Sequence, residues 1–189
     1  VWNLGNLLLV AAIAVAGMSV AFPIGGGLAW LGGIIFNFII ETKGGAELKT
    51  LPTSMLFIGV AIIFIAIVLT MMAYKKLASQ QKKPSMAGIV LSVLAGFFIA
   101  FFYGFVVKSL DPVFVTGGAG KLSPYSGVFF FTLGAFITTF IFNPFFMAKP
   151  VEGAPVKMKD YFTGNLKTHL IGVLGGLIWA SGMVVSFMA

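Results

Sequence analysis

The placing of charge along this chain constrains its fold more than any other feature. Twelve lysines and five acidic residues are its only Lys, Arg, Asp or Glu charges in 189 residues, and there is no Arg. They leave uncharged stretches at 1–40, 50–74, 84–107, 122–148 and 168–189. A helix crossing a bilayer core takes about 20 apolar residues at roughly 1.5 Å of rise each. Four of the stretches hold one such span, and the first holds two short ones. Soluble domains carry charge on about a quarter of their residues; here the figure is 9%, with a mean hydropathy of +1.07. That is too little polar surface to cover a water-exposed globule. The fold class expected is an all-α, polytopic membrane protein, and a soluble fold is excluded.

Six spans are expected, at Leu4–Met18, Ile24–Ile40, Met55–Tyr74, Gly88–Val107, Val128–Met147 and Leu170–Met188. The first two are separated only by Gly17 to Pro23. Proline lacks an N–H and suits the first turn of a helix, so the second span is expected to start at Pro23. The two then form a hairpin whose turn need not leave the membrane. The remaining loops are short, and 1–189 reads as a single transmembrane domain. The chain opens and stops inside apolar runs, at Val1 and Ala189, as an incomplete membrane domain does.

Loop parity gives an orientation. The loops after the first, third and fifth spans hold eight Lys, and those after the second and fourth hold four. Positive residues in short loops stay on the cytoplasmic side, so the eight-Lys side is expected there. A cysteine placed at Ser79 is then shielded from impermeant reagents in intact cells, and one at Gly118 is labelled. The membrane expected is the cell (inner or plasma) membrane. The net charge of +7 lies in loops between apolar spans, which suits anchoring to anionic lipid and not nucleic acid.

Chemistry has few carriers. With no Cys, one His and no paired acids within a span, no metal site, cofactor site or catalytic set can be assembled. Glu41, Lys108 and Asp111 lie at span ends, where loop solvation accounts for them. Ala180-Ser181-Gly182 has the look of an intramembrane serine nucleophile, but such a serine needs a base from another helix. His169 is twelve positions earlier on the same span, about 18 Å away. Ser181 is therefore a small packing or path-lining residue, and the chain is not expected to be an enzyme.

What remains is uncharged and polar. Asn3 and Asn6 share one face of the first span beside Trp2; Asn37 and Asn143-Pro144 lie near span ends; Tyr103 sits among Phe97, Phe98, Phe101, Phe102 and Phe105. Buried amides need partners. They either bond neighbouring helices or offer donors and acceptors to a neutral, polar solute. Gly25-Gly26-Gly27 and Gly32-Gly33 each cost helix propensity, about 1 kcal/mol against Ala, unless close packing or unwinding offsets it. Ala12 with Ala16 and Gly172 with Gly176 make small-xxx-small faces that let helices approach. Phe22-Pro23-Ile24-Gly25-Gly26-Gly27 is the strongest broken-helix signal of the kind that lines transport paths. Val1-Trp2-Asn3-Leu4-Gly5 is echoed by Ile178-Trp179-Ala180-Ser181-Gly182 with opposite sense, as in an inverted repeat.

The run from Asn6 to Gly25, with its Ala-Gly-Met-Ser-Val-Ala-Phe-Pro motif, resembles the ureide permease and glucose/ribose porter-like branch of the drug/metabolite transporter superfamily. Ala73 to Ala78, Gly120 to Tyr125 and Thr168 to Gly172 are similar to later landmarks of bacterial members. The resemblance implies ten helices in two inverted halves, of which this chain holds the third to the eighth, and transport by alternating access. Gly182-Met183 departs from the Gly-Asn expected on the eighth helix, so Asn6 has no repeat partner.

The expected function is secondary transport of a small neutral polar metabolite such as a ureide, nucleobase or sugar. An accessory or assembly subunit of a membrane complex is the alternative. The expected solute contacts are Trp2, Asn3, Asn6, Phe22, Pro23, Gly25, Tyr103, Trp179 and Ser181. The two Trp-x-x-Gly turns are expected to converge near the membrane midplane. Partners are the solute and the lipid bilayer; coupling to a proton or other ion, and a homodimer, stay open.

Overall fold

The structure is a computed structural model that describes residues 1–42, 53–77, 85–111 and 120–188. Ser79 and Gly118, and loop lysines such as Lys43 and Lys82, lie outside the described residues. Among those described, every regular element is a helix: α1 Trp2–Ala16, α2 Met18–Thr42, α3 Thr53–Leu77, α4 Met86–Ser109, α5 Pro124–Ala148, α6 Met158–Phe162 and α7 Leu166–Met188. Five of them (α2, α3, α4, α5 and α7) are long and apolar enough to cross a membrane. The chain is thus an all-helical, multi-pass membrane protein. The first expected span is short: α1 has 15 residues, about 22 Å of helix against a hydrocarbon core of about 30 Å.

The helices run past the apolar stretches because polar residues cap them outside the core. Ser85 Oγ accepts from Gly88 N at 3.1 Å at the start of α4. Ser123 Oγ accepts from Ser126 N at 3.3 Å, and Pro124 follows it as the first residue of α5, four positions before the expected start at Val128. Asn165 Oδ1 accepts from Lys167 N at 2.9 Å, so α7 takes in Lys167 and His169 as its polar first turn. The short α6 lies within the polar loop expected between the fifth and sixth spans. Lys157 N donates to the Asp160 carboxylate at 3.0 Å and fixes its first turn.

Pro23 corrects the expected start of the second span. The break between α1 and α2 is Gly17 alone, at φ 80° and ψ 157°, and α2 runs from Met18 with Pro23 inside it. Ala21 N donates to Gly17 O at 3.0 Å, so the helix is already established before the proline. Pro23 merely withholds the N–H that the Ser19 carbonyl would receive one turn back. One glycine in a region of backbone space open only to glycine does what a seven-residue break was expected to do.

Two compact units divide the chain at Val1–Phe105 and Val106–Ala189. In the first, α1, α2 and α4 meet through small residues. A Cβ on Gly96 would lie 2.7 Å from Gly25 O, one on Gly25 3.1 Å from Ser92 O, and one on Gly5 3.1 Å from Ala95 O. Gly88 meets Ala16 as closely, and Ala12, Ala16, Ala21 and Ala95 are all but fully buried. The backbones approach as in small-residue membrane interfaces. Helix α3 packs on α2 through Ile67 against Gly27 and Phe57 against Phe38, yet none of its membrane window is buried. In the second unit, Gly127 of α5 meets Leu110 and Phe187, Val128 is buried, and the Phe131 ring contacts both Trp179 and Phe187.

Candidate functional site

The first unit gathers most of the expected site residues. Trp2 opens α1 with its indole edge-on to Phe102 of α4, centroids 6.4 Å apart, and Phe102 in turn meets Tyr103 at 6.1 Å. Asn3 and Asn6 stand one turn apart on α1, both half-buried. They flank Gly5, which is pressed against Ala95 and Ile99 of α4. The close approach of α1 and α4 thus holds two amides, an indole and a phenol at one end of a three-helix junction. None of the side chains there carries a charge.

On α2, Gly25 is buried under Leu9 and Ser92, and Pro23 is buried two residues before it. Phe22 is half exposed, on the outer face of the helix. The Pro-Gly signal therefore marks tight packing within a continuous helix: α2 is not unwound at Gly25 to Gly27. A broken, path-lining helix was expected there, and the continuous helix removes that expectation. An apolar cavity of about 360 Å³ does open between α2 and α4, walled by Leu28, Gly32, Phe36, Phe97 and Phe101. None of the expected contacts lines it.

Trp179 and Ser181 lie on α7, in the second unit. Trp179 packs against Phe131 with centroids 5.7 Å apart, and Ser181 Oγ donates to Leu177 O at 2.9 Å within its own helix. The two Trp-x-x-Gly turns thus belong to different units. The glycines of the expected α7 packing face, Gly172 and Gly176, have nothing within 4 Å of where a Cβ would stand.

Two polar residues gain weight that the sequence did not give them. The side-chain carbonyl of Asn37, on α2, is buried with no hydrogen-bond partner. A buried acceptor left unsatisfied costs about 1–3 kcal/mol. Asp111 was expected to be solvated at a span end; instead it is only 8% exposed. The reason is a parallel bridge between Leu110 and Leu122, in which Asp111 N donates to Leu122 O at 2.9 Å and Leu122 N to Ser109 O at 2.8 Å. This pairing holds the backbone on either side of Asp111 against the start of α5. Neither residue stands in a sequence pattern that announces burial, since each lies near the polar end of an apolar run.

Comparison with protein-family models, with curated proteins and with solved structures gave no match in any of the three. What the fold defines is the class: a multi-pass helical membrane protein.

Proposed function

We propose that this protein is a secondary transporter for a small, neutral, polar metabolite (a ureide, nucleobase or sugar), akin to the ureide permease and glucose/ribose porter-like branch that its sequence resembles. The observation that carries this reading is the orphaned carbonyl of Asn37. A neutral solute rich in N–H and O–H groups supplies the donor that this acceptor lacks. Asn3, Asn6 and Tyr103 add amide and phenol groups in the same unit, and Trp2 adds a flat aromatic face. An uncharged lining suits an uncharged cargo, because it binds without leaving an unpaired ion in the membrane. The proposed contacts are those of the first unit; Trp179 and Ser181 lie in the second.

Uptake into proteoliposomes of the complete protein tests it, with labelled allantoin, uracil, glucose and ribose as probes. Saturable uptake of at least one is expected. Asn3→Ala and Asn6→Ala should each lower its affinity several-fold, since a lost hydrogen bond costs about 1 kcal/mol, while thermal unfolding changes little. Unchanged uptake with a large loss of stability would make these amides packing residues.

The uncovered membrane face of α3 favours a second reading, an accessory subunit whose α3 packs against a larger partner. Co-purification in fixed stoichiometry, with no uptake of any of the four probes, would decide for it.

A further inference from the structure

The chain between α5 and α7 folds back on itself and leaves a hollow at its base. Lys149 N donates to Phe145 O and Val156 N to Met147 O, each at 2.9 Å, so residues 149–157 form a strap across the end of α5. Under the strap is a cavity of about 480 Å³. Pro144, Met147 and Ala148 of α5 form one wall, and Pro155, Val156 and Met158 the other. Lys157 is the one charged residue among those that line it; Lys159 lies two positions after it, and Lys149 follows the lining residue Ala148.

An apolar hollow with a cationic rim, at the point where two membrane-crossing helices leave the bilayer, matches one ligand chemistry. We propose that this hollow seats an anionic phospholipid. Its phosphate lies on Lys157, flanked by Lys149 and Lys159, and its glycerol and first acyl carbons lie against Pro144, Met147, Val156 and Met158. Further along the same connection, Phe162 and Leu166 are exposed apolar side chains, 72% and 70% accessible. Two acids lie on the same connection: Glu152, exposed within the strap, and Asp160, whose carboxylate is engaged by the backbone N–H of Lys157. The Asp160 bond steadies the corner that presents Lys157 and Lys159. Juxtamembrane lysines attract anionic lipid in just this setting, and long cationic side chains reach from apolar surface to the headgroup layer. The orientation expected from the lysine count places the seat in the cytoplasmic leaflet. The proposal does not depend on transport.

The test uses the full chain in nanodiscs of phosphatidylcholine with a one-quarter share of phosphatidylglycerol, with retained lipid read by native mass spectrometry. Retention of phosphatidylglycerol over phosphatidylcholine is expected at about tenfold, the order given by a few juxtamembrane lysines. Replacing Lys149, Lys157 and Lys159 together by Gln should bring it below twofold, and replacing them by Arg should keep it. Ala148→Leu, which fills the hollow without changing charge, should also abolish it. Lys121→Gln, in another loop, should leave it intact. Three results would overturn the seat: no preference in the native chain, full preference retained by Ala148→Leu, or displacement of the lipid by inorganic phosphate at millimolar concentration. The last would mark a site for soluble anions instead.

Discussion

At the scale of single residues, the backbone at Gly17 and the side chain of Asn37 carry the clearest consequences. Gly17 holds φ 80° and ψ 157°, a conformation essentially restricted to glycine. Gly17→Ala should therefore destabilise the protein by about 1–3 kcal/mol, read as a fall in the midpoint of thermal unfolding in detergent. Gly26→Ala is the control, because a Cβ there meets only the Phe22 ring, at 3.9 Å, and its effect should be small. Asn37→Leu should raise the midpoint, since it removes an unsatisfied acceptor that costs about 1–3 kcal/mol. Under the transport reading it should also weaken uptake of whichever probe is carried. A lowered midpoint would mean that the amide has a structural partner. These residues show where sequence is mute. Gly17 was legible as part of a break, but nothing in Gly17 to Pro23 says which residue turns the chain. Asn37 was legible as polar, but its burial depends on packing that no local pattern encodes.

At the scale of helices, the glycines separate into two kinds that look alike in sequence. Gly25 and Gly96 sit where α2 and α4 touch backbone to backbone, and Gly172 and Gly176 meet nothing. Gly96→Ala should be strongly destabilising, because its Cβ would stand 2.7 Å from a carbonyl oxygen of α2 and a backbone cannot step aside as a side chain can. Gly172→Ala should be neutral or stabilising by up to about 1 kcal/mol, the propensity gap between the two residues. Thermal unfolding of the pair checks both. If Gly172→Ala proves as damaging as Gly96→Ala, the open face of α7 is a real interface with another chain or copy. The Ala12 and Ala16 face was legible from its spacing and is buried; Gly172 and Gly176 have the same spacing and pack on nothing. A small-residue stripe permits close approach, and a facing helix must still be there to use it. Helix lengths follow a similar logic. Apolar stretches mark the hydrocarbon segment, while caps such as Ser123 and Asn165 extend α5 and α7 into the headgroup layer.

At the scale of the whole molecule, membrane class was legible from charge spacing alone, and orientation is the property left to measure. Lys121, before α5, and Glu152, after it, are both exposed and lie on either side of one candidate span. The chain contains no cysteine, so Lys121→Cys and Glu152→Cys each give a single reactive thiol. Lys121→Cys removes a lysine from the side with four and so strengthens the existing bias. Glu152→Cys removes an acid, which hardly affects orientation. In intact cells an impermeant maleimide should label the cysteine at 121 and spare the one at 152, with both labelled after permeabilisation. The reversed pattern would place the lysine-rich side outside and overturn the orientation while leaving the fold in place. Labelling of both in intact cells would be more damaging, because α5 has 25 residues with a polar cap at Ser123 and no charge within it. A helix of that kind keeps its two ends on one side only if it lies along the membrane surface. That would need a strongly charged face, which α5 does not have, so the two thiols should report opposite sides.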